Sequence, residues 1–147
     1  MQCVLAAVAA LLIAGTLGGQ QTSGYPPGDN PFQAEYDFAL GQPVQLHVDV
    51  QGVRFDALTV VALEAVKSGA KTRCEVQVTG TNAAEKRATV TTVLLLEDAS
   101  GKGLDRLTLE AFKVKPAKPI EEKQRLTVAA DSLSSATKVY VFVQVSF

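Results

Sequence analysis

From Val44 to the C-terminus the apolar residues recur at every second position, and no stretch in between carries the spacing of a long amphipathic helix. Val44, Leu46, Val48 and Val50 alternate with Gln45, His47, Asp49 and Gln51. Gln51-Gly52 supplies a turn, and Val53 to Val66 resumes the pattern, although Ala62 to Lys67 also suits a helix on propensity. After a break at Ser68 to Lys71, Thr72 to Gly80 points Cys74, Val76 and Val78 inward. A turn at Thr81 to Lys86 leads to Ala88–Glu97, which is apolar on both faces, the mark of a strand inside a sheet. Leu104 to Val114 follows a Gly-containing turn at Asp98 to Gly103. Lys115 to Lys123 reads as a proline-broken connection, Gln124 to Ala129 as a short strand, Asp131 to Ala136 as a helical turn, and Thr137 to Phe147 as the last strand.

This spacing predicts about seven strands and therefore an all-β antiparallel sandwich over residues 44–147, with a closed barrel as the alternative. Nineteen valines and twelve threonines suit pleated surfaces. A parallel sheet needs crossover helices, and the sequence has no segment for them.

The beginning of the chain has another character. Residues 1–19 hold no charged side chain, and Val4 to Leu17 is an apolar run broken only by Gly15 and Thr16. That length suits the core of a secretory signal, roughly 7–15 residues, and falls short of the ~20 that cross a bilayer. An export signal, a retained anchor, or a buried helix of the domain are the three readings. No Lys or Arg precedes the run, and Cys3 lies before it, which removes a lipoprotein reading. Residues 20–43, with Pro26, Pro27, Pro31 and Pro43, read as a linker whose aromatics Tyr25, Phe32, Tyr36 and Phe38 pack along the domain edge. The expected location is periplasmic, cell-surface or extracellular, with membrane contact only through an uncleaved N-terminus.

Within residues 75–147, Gly80-Thr81-Asn82 closes one strand, and Leu94-Leu95-Leu96-Glu97-Asp98 with Ala99-Ser100-Gly101-Lys102 closes the next at an acidic, glycine-containing turn. These features resemble the FxLYD type of immunoglobulin-like domain found in bacterial envelope and secreted proteins. Leu94 stands at the Phe place and Glu97 at the Tyr place, and Pro119-Ile120-Glu121-Glu122 replaces a Pro-Gly-Glu turn. The resemblance implies an immunoglobulin-like sandwich and no particular activity.

Chemistry-bearing residues are sparse. Fourteen Lys+Arg against fifteen Asp+Glu leave a net charge of -1, with no basic field for nucleic acid. Cys74 reads as a small apolar core side chain, or as the thiol of an intermolecular disulfide. His47 and Asp49 share the outward face of one strand and lack further metal ligands. Ser132, Ser134 and Ser135 lack nucleophile spacing. Asp98 to Asp105 reads as a hairpin turn, not a calcium loop. Lys113, Lys115, Lys118 and Lys123 are offset by Glu110, Glu121 and Glu122. The last strand carries Val139, Val141, Val143 and Val145 on one face and Tyr140, Phe142 and Phe147 on the other, so it is either central or shows aromatic area to a partner. At an edge it would accept strand addition. No catalytic, cofactor-binding or metal-binding residue is assigned, and no small-molecule substrate is evident. The expectation is a non-enzymatic exported binding or structural module, with a self-associating subunit of an extracellular assembly as the alternative.

Overall fold

The computed structural model describes residues 24–147. In chain order the elements are β1 (Phe32–Asp37), β2 (Val44–Val50), β3 (Val53–Ala62), β4 (Lys71–Asn82), β5 (Ala88–Glu97), β6 (Gly103–Thr108), β7 (Phe112–Val114), β8 (Pro119–Ala129), α1 (Ala130–Ser135) and β9 (Lys138–Ser146). They form two antiparallel sheets, β2-β3-β4-β8 and β1-β9-β5-β6, with β7 continuing the β6 edge against β5. The chain is an all-β sandwich, as the alternation predicts.

Valines and leucines of the inner faces interlock as one core, with Val50, Val53, Phe55, Leu58 and Val76 from one sheet and Val90, Leu94, Leu96, Val139 and Val141 from the other fully enclosed. Four strands have the arrangement of an immunoglobulin Greek key. β4 lies beside β8, β5 lies beside β9, and the chain crosses between sheets from β4 to β5, from β7 to β8 and from β8 to β9. In the immunoglobulin order ABED/CFG these are strands B, E, C and F. The place of C-terminal strand G, on the free side of F, is filled here by N-terminal β1.

From Pro26 onward the segment read as a linker pairs with the sandwich, and Phe32, Tyr36 and Phe38 pack against it as expected of its aromatics. Gly28 N donates to Asp49 O at 2.7 Å and Asp49 N to Pro26 O at 2.9 Å, so the arm pairs with β2. The Asn30 side chain then exchanges two hydrogen bonds with the main chain of Val145, at 2.7 and 3.0 Å. Phe32, Ala34 and Tyr36 next alternate inward along β9. Prolines and glycine dominate the composition of the arm, but the period-two aromatics decide its fold. Residues 1–19, read as signal or anchor, and the first residues of the linker lie outside the described residues.

Other boundaries also differ from expectation. β8 begins at Pro119 rather than Gln124, because β8 is an edge strand and a proline at its first position removes no ladder donor. The single strand expected over Leu104 to Val114 is broken after Thr108, where Gln124 of the facing sheet takes both main-chain groups of Glu110, at 2.7 and 2.8 Å. Ala62 ends β3, and no helix follows it. With β1 added and this strand divided, nine strands among the described residues replace about seven.

The Gly80-Thr81-Asn82 stretch has two physical duties. A Cβ on Gly80 would come within 2.1 Å of the Arg54 carbonyl oxygen, where β3 bulges between Phe55 and Ala57. Asn82 is fully buried and spends its side chain on Lys86 O, Val114 O and Ala84 N, at 2.9, 3.0 and 3.0 Å.

Candidate functional site

The outer faces of the two sheets differ in chemistry. On β4 and β8 the outward residues are polar and charged, with Glu75 opposite Arg125, Gln77 opposite Lys123, and Thr79 opposite Glu121. Arg125 Nε lies 3.6 Å from Glu75, whose carboxyl is held below its ordinary pKa, chiefly by the Gln77 amide. This face is solvated in the usual way.

The β1-β9-β5-β6 face is different, and its register sets the side chains in rows across the strands. One row reads Gln33, Phe142, Val93, Thr108, and the next Glu35, Tyr140, Leu95, Arg106. Val93, Leu95, Tyr140, Phe142 and Arg106 line an open cavity of about 260 Å³. The four apolar side chains are half-buried and Arg106 is exposed. The Tyr140 hydroxyl donates to Gln33 Oε1 at 2.6 Å, which holds the ring down across β9. Arg106 makes no ion pair among the described residues.

A third row, Asp37, Lys138, Glu97, borders the patch. Lys138 Nζ lies 3.4 Å from Glu35. Glu97 is buried, and burial pushes its carboxyl pKa up; the Glu35 carboxylate adds to the effect and Lys138 opposes it. The face therefore has an apolar centre, an unpaired cation on its β6 side and an excess of carboxylates on its β1 side. This can hold apolar or aromatic groups and orient them by charge. Its width and shallowness suit a protein surface better than an enclosed small molecule.

The residues singled out by sequence have structural duties. His47 adopts φ 46° at the irregularity in β2 and stacks on Tyr25 with ring centroids 4.4 Å apart. Tyr25 in turn donates its hydroxyl to Asp56 and lies under the Arg54 guanidinium, so the pair pins the N-terminal arm. Asp49 accepts from Gly52 N at 2.7 Å and closes the β2–β3 turn. His47 and Asp49 are not brought to a third ligand, and among the described residues no group of three His, Cys, Asp or Glu is placed to hold a metal. Cys74 is buried between the sheets, where burial raises its thiol pKa. Ser132 and Ser134 hydroxyls donate to Leu104 O and Ala130 O. Asp98 Oδ1 accepts from Ser100 N, Ser100 Oγ and Lys102 N, which builds the β5–β6 hairpin and lowers the Asp98 pKa. The lysines around Pro116 and Pro119 line a groove with Glu121 and Glu122.

Sequence reasoning did not find the patch as a unit. Its signal was the second apolar face of Ala88–Glu97 and of the last strand, which turn out to be neighbours. β9 lies between β1 and β5 and still leaves Tyr140 and Phe142 half-exposed, so central placement and outward aromatics hold together, while strand addition at β9 is closed. Nothing in the alternation singles out Arg106.

No protein-family model and no curated protein matches the chain. Among solved structures, the chain is similar to the crystal structure of a DUF1425 family member from Shewanella sp. pv-4. That similarity has 13% sequence identity, covers 78% of this chain and 97% of the other, and has a TM-score of 0.35.

Proposed function

We propose that the protein is a non-enzymatic exported module that binds another protein through the outer face of its β1-β9-β5-β6 sheet. The observation that carries this reading is the patch of Val93, Leu95, Tyr140 and Phe142 beside the unpaired Arg106. Two aromatic rings and two aliphatic side chains held on rigid central strands, with polar groups at the rim, are the makings of an interface centre. Export is supported by the uncharged apolar run Val4 to Leu17. The resemblance of Gly80 to Asn82 and Leu94 to Asp98 to FxLYD-type envelope domains is in keeping with it; these stretches lie at the ends of the successive strands β4 and β5.

Site-specific photo-crosslinking in an exporting bacterial host tests the proposal. A photoreactive residue at Val93 is expected to give discrete protein adducts in the exported fraction, and one at Gln77 on the other sheet none. Equal yields at both positions, no adduct at Val93, or retention of all the protein in the cytoplasm overturns it.

A further inference from the structure

We infer that the occupant of this face is the same face of a second copy of the chain, related by a two-fold axis parallel to the strands. This rests on the reading of the face as a docking surface and names its partner. Rotation by 180° about such an axis leaves each row at its height along the strands and reverses its order. The row Glu35, Tyr140, Leu95, Arg106 then lies on Arg106, Leu95, Tyr140, Glu35 of the second copy. Two ion pairs, each between the Glu35 and Arg106 of different copies, close around four apolar side chains. In the neighbouring row Phe142 lies over Val93 of the second copy, twice by symmetry, and Gln33 meets Thr108.

The charge distribution is self-complementary only in this orientation. The β6 side offers Arg106, which has no carboxylate among the described residues. The β1 side offers Glu35 and Asp37 against the single Lys138 of β9, so Glu35 keeps attraction for a second cation although Lys138 lies 3.4 Å away. An axis across the strands sets β6 on β6 and leaves both arginines on the same side, away from the carboxylates. A two-fold interface requires such reciprocal matching of one patch with itself. Face-to-face sheets also pack naturally with strands nearly aligned.

Strand spacing makes the face about 19 Å wide and roughly 25 Å long, so the dimer buries on the order of 1,000 Å², the low end for a specific complex. An interface of this size is expected to be weak, on the order of micromolar.

Sedimentation equilibrium on the full-length gene product recovered from an exporting host, with charge reversals at the two positions, tests the assignment. Wild type is expected to dimerise at micromolar concentration. Arg106→Glu and Glu35→Arg should each weaken the dimer about tenfold or more, and the double variant Glu35→Arg/Arg106→Glu should return it to within about threefold of wild type. Both side chains are exposed, so melting temperature serves as the control for folding. A wild type that stays monomeric at about 500 µM, well above the expected range, or a double variant no better than the singles, overturns the second copy as partner. In that event photo-adducts at Val93 to other proteins leave the docking surface standing, and their absence removes both.

Discussion

The side chain of Asn82 at the end of β4 donates to the main-chain oxygen of Val114 on β7 at 3.0 Å, so one buried amide joins the two sheets. The same amide serves Lys86 O and Ala84 N, and its main chain bonds to Lys118 O and Ala117 N. Asn82→Ala leaves the Lys86 and Val114 carbonyls and the Ala84 N–H without this partner. The expected loss is about 2–4 kcal/mol in urea unfolding. A loss within about 0.5 kcal/mol, the range of an ordinary surface change, would show that this junction is not structural.

Gly80 has no room for a side chain against Arg54 O. Gly80→Ala should cost about 3 kcal/mol or more, since both opposed atoms belong to paired strands and neither can move alone. Thermal denaturation reads the effect, and an unchanged midpoint refutes the close approach of β3 and β4.

Thr92 faces the core opposite Val143, and its hydroxyl is buried without a hydrogen-bond partner. Thr92→Val removes a desolvated oxygen and keeps the β-branched shape, so it should stabilise the fold by about 1 kcal/mol. Chemical denaturation that shows a loss would mean that the hydroxyl has an accepting group.

The Glu97 carboxyl has a pKa raised above its ordinary 4.5 by burial, then by Glu35 and Asp98, with Lys138 acting the other way. Between the unfolded and folded pKa values the folded chain therefore holds the extra proton. The stability from this group is fully present below pH 4.5 and is lost as pH rises through the folded value. Glu97→Gln should flatten the fall in stability above pH 4.5 and leave the variant more stable than wild type at neutral pH. A stability curve parallel to that of wild type through this range contradicts the shift.

The alternation from Val44 onward was enough to read the sandwich, because inward valines and outward polar residues repeat with the pleat over strands as long as β3, β4 and β9. It failed where a local signal was answered by a distant group. Pro26, Pro27 and Pro31 suggest a loose chain, yet Asp49 and Val145 hold this arm from opposite sheets. Thr108 to Phe112 looks continuous, yet Gln124 takes the main-chain groups of Glu110. The docking face was legible only in halves, since Val93 and Leu95 stand far in sequence from Tyr140 and Phe142, and only the β5–β9 register brings them together.

Hydroxyl-radical labelling of side chains, compared between intact expressing cells of an exporting host and the purified protein at high dilution, reports directly on whether the face is covered. Tyr140 and Phe142 should be protected in cells, while Tyr25, in the N-terminal arm against the other sheet, is labelled equally in both. Equal labelling of Tyr140 and Phe142 in the two samples contradicts the docking face.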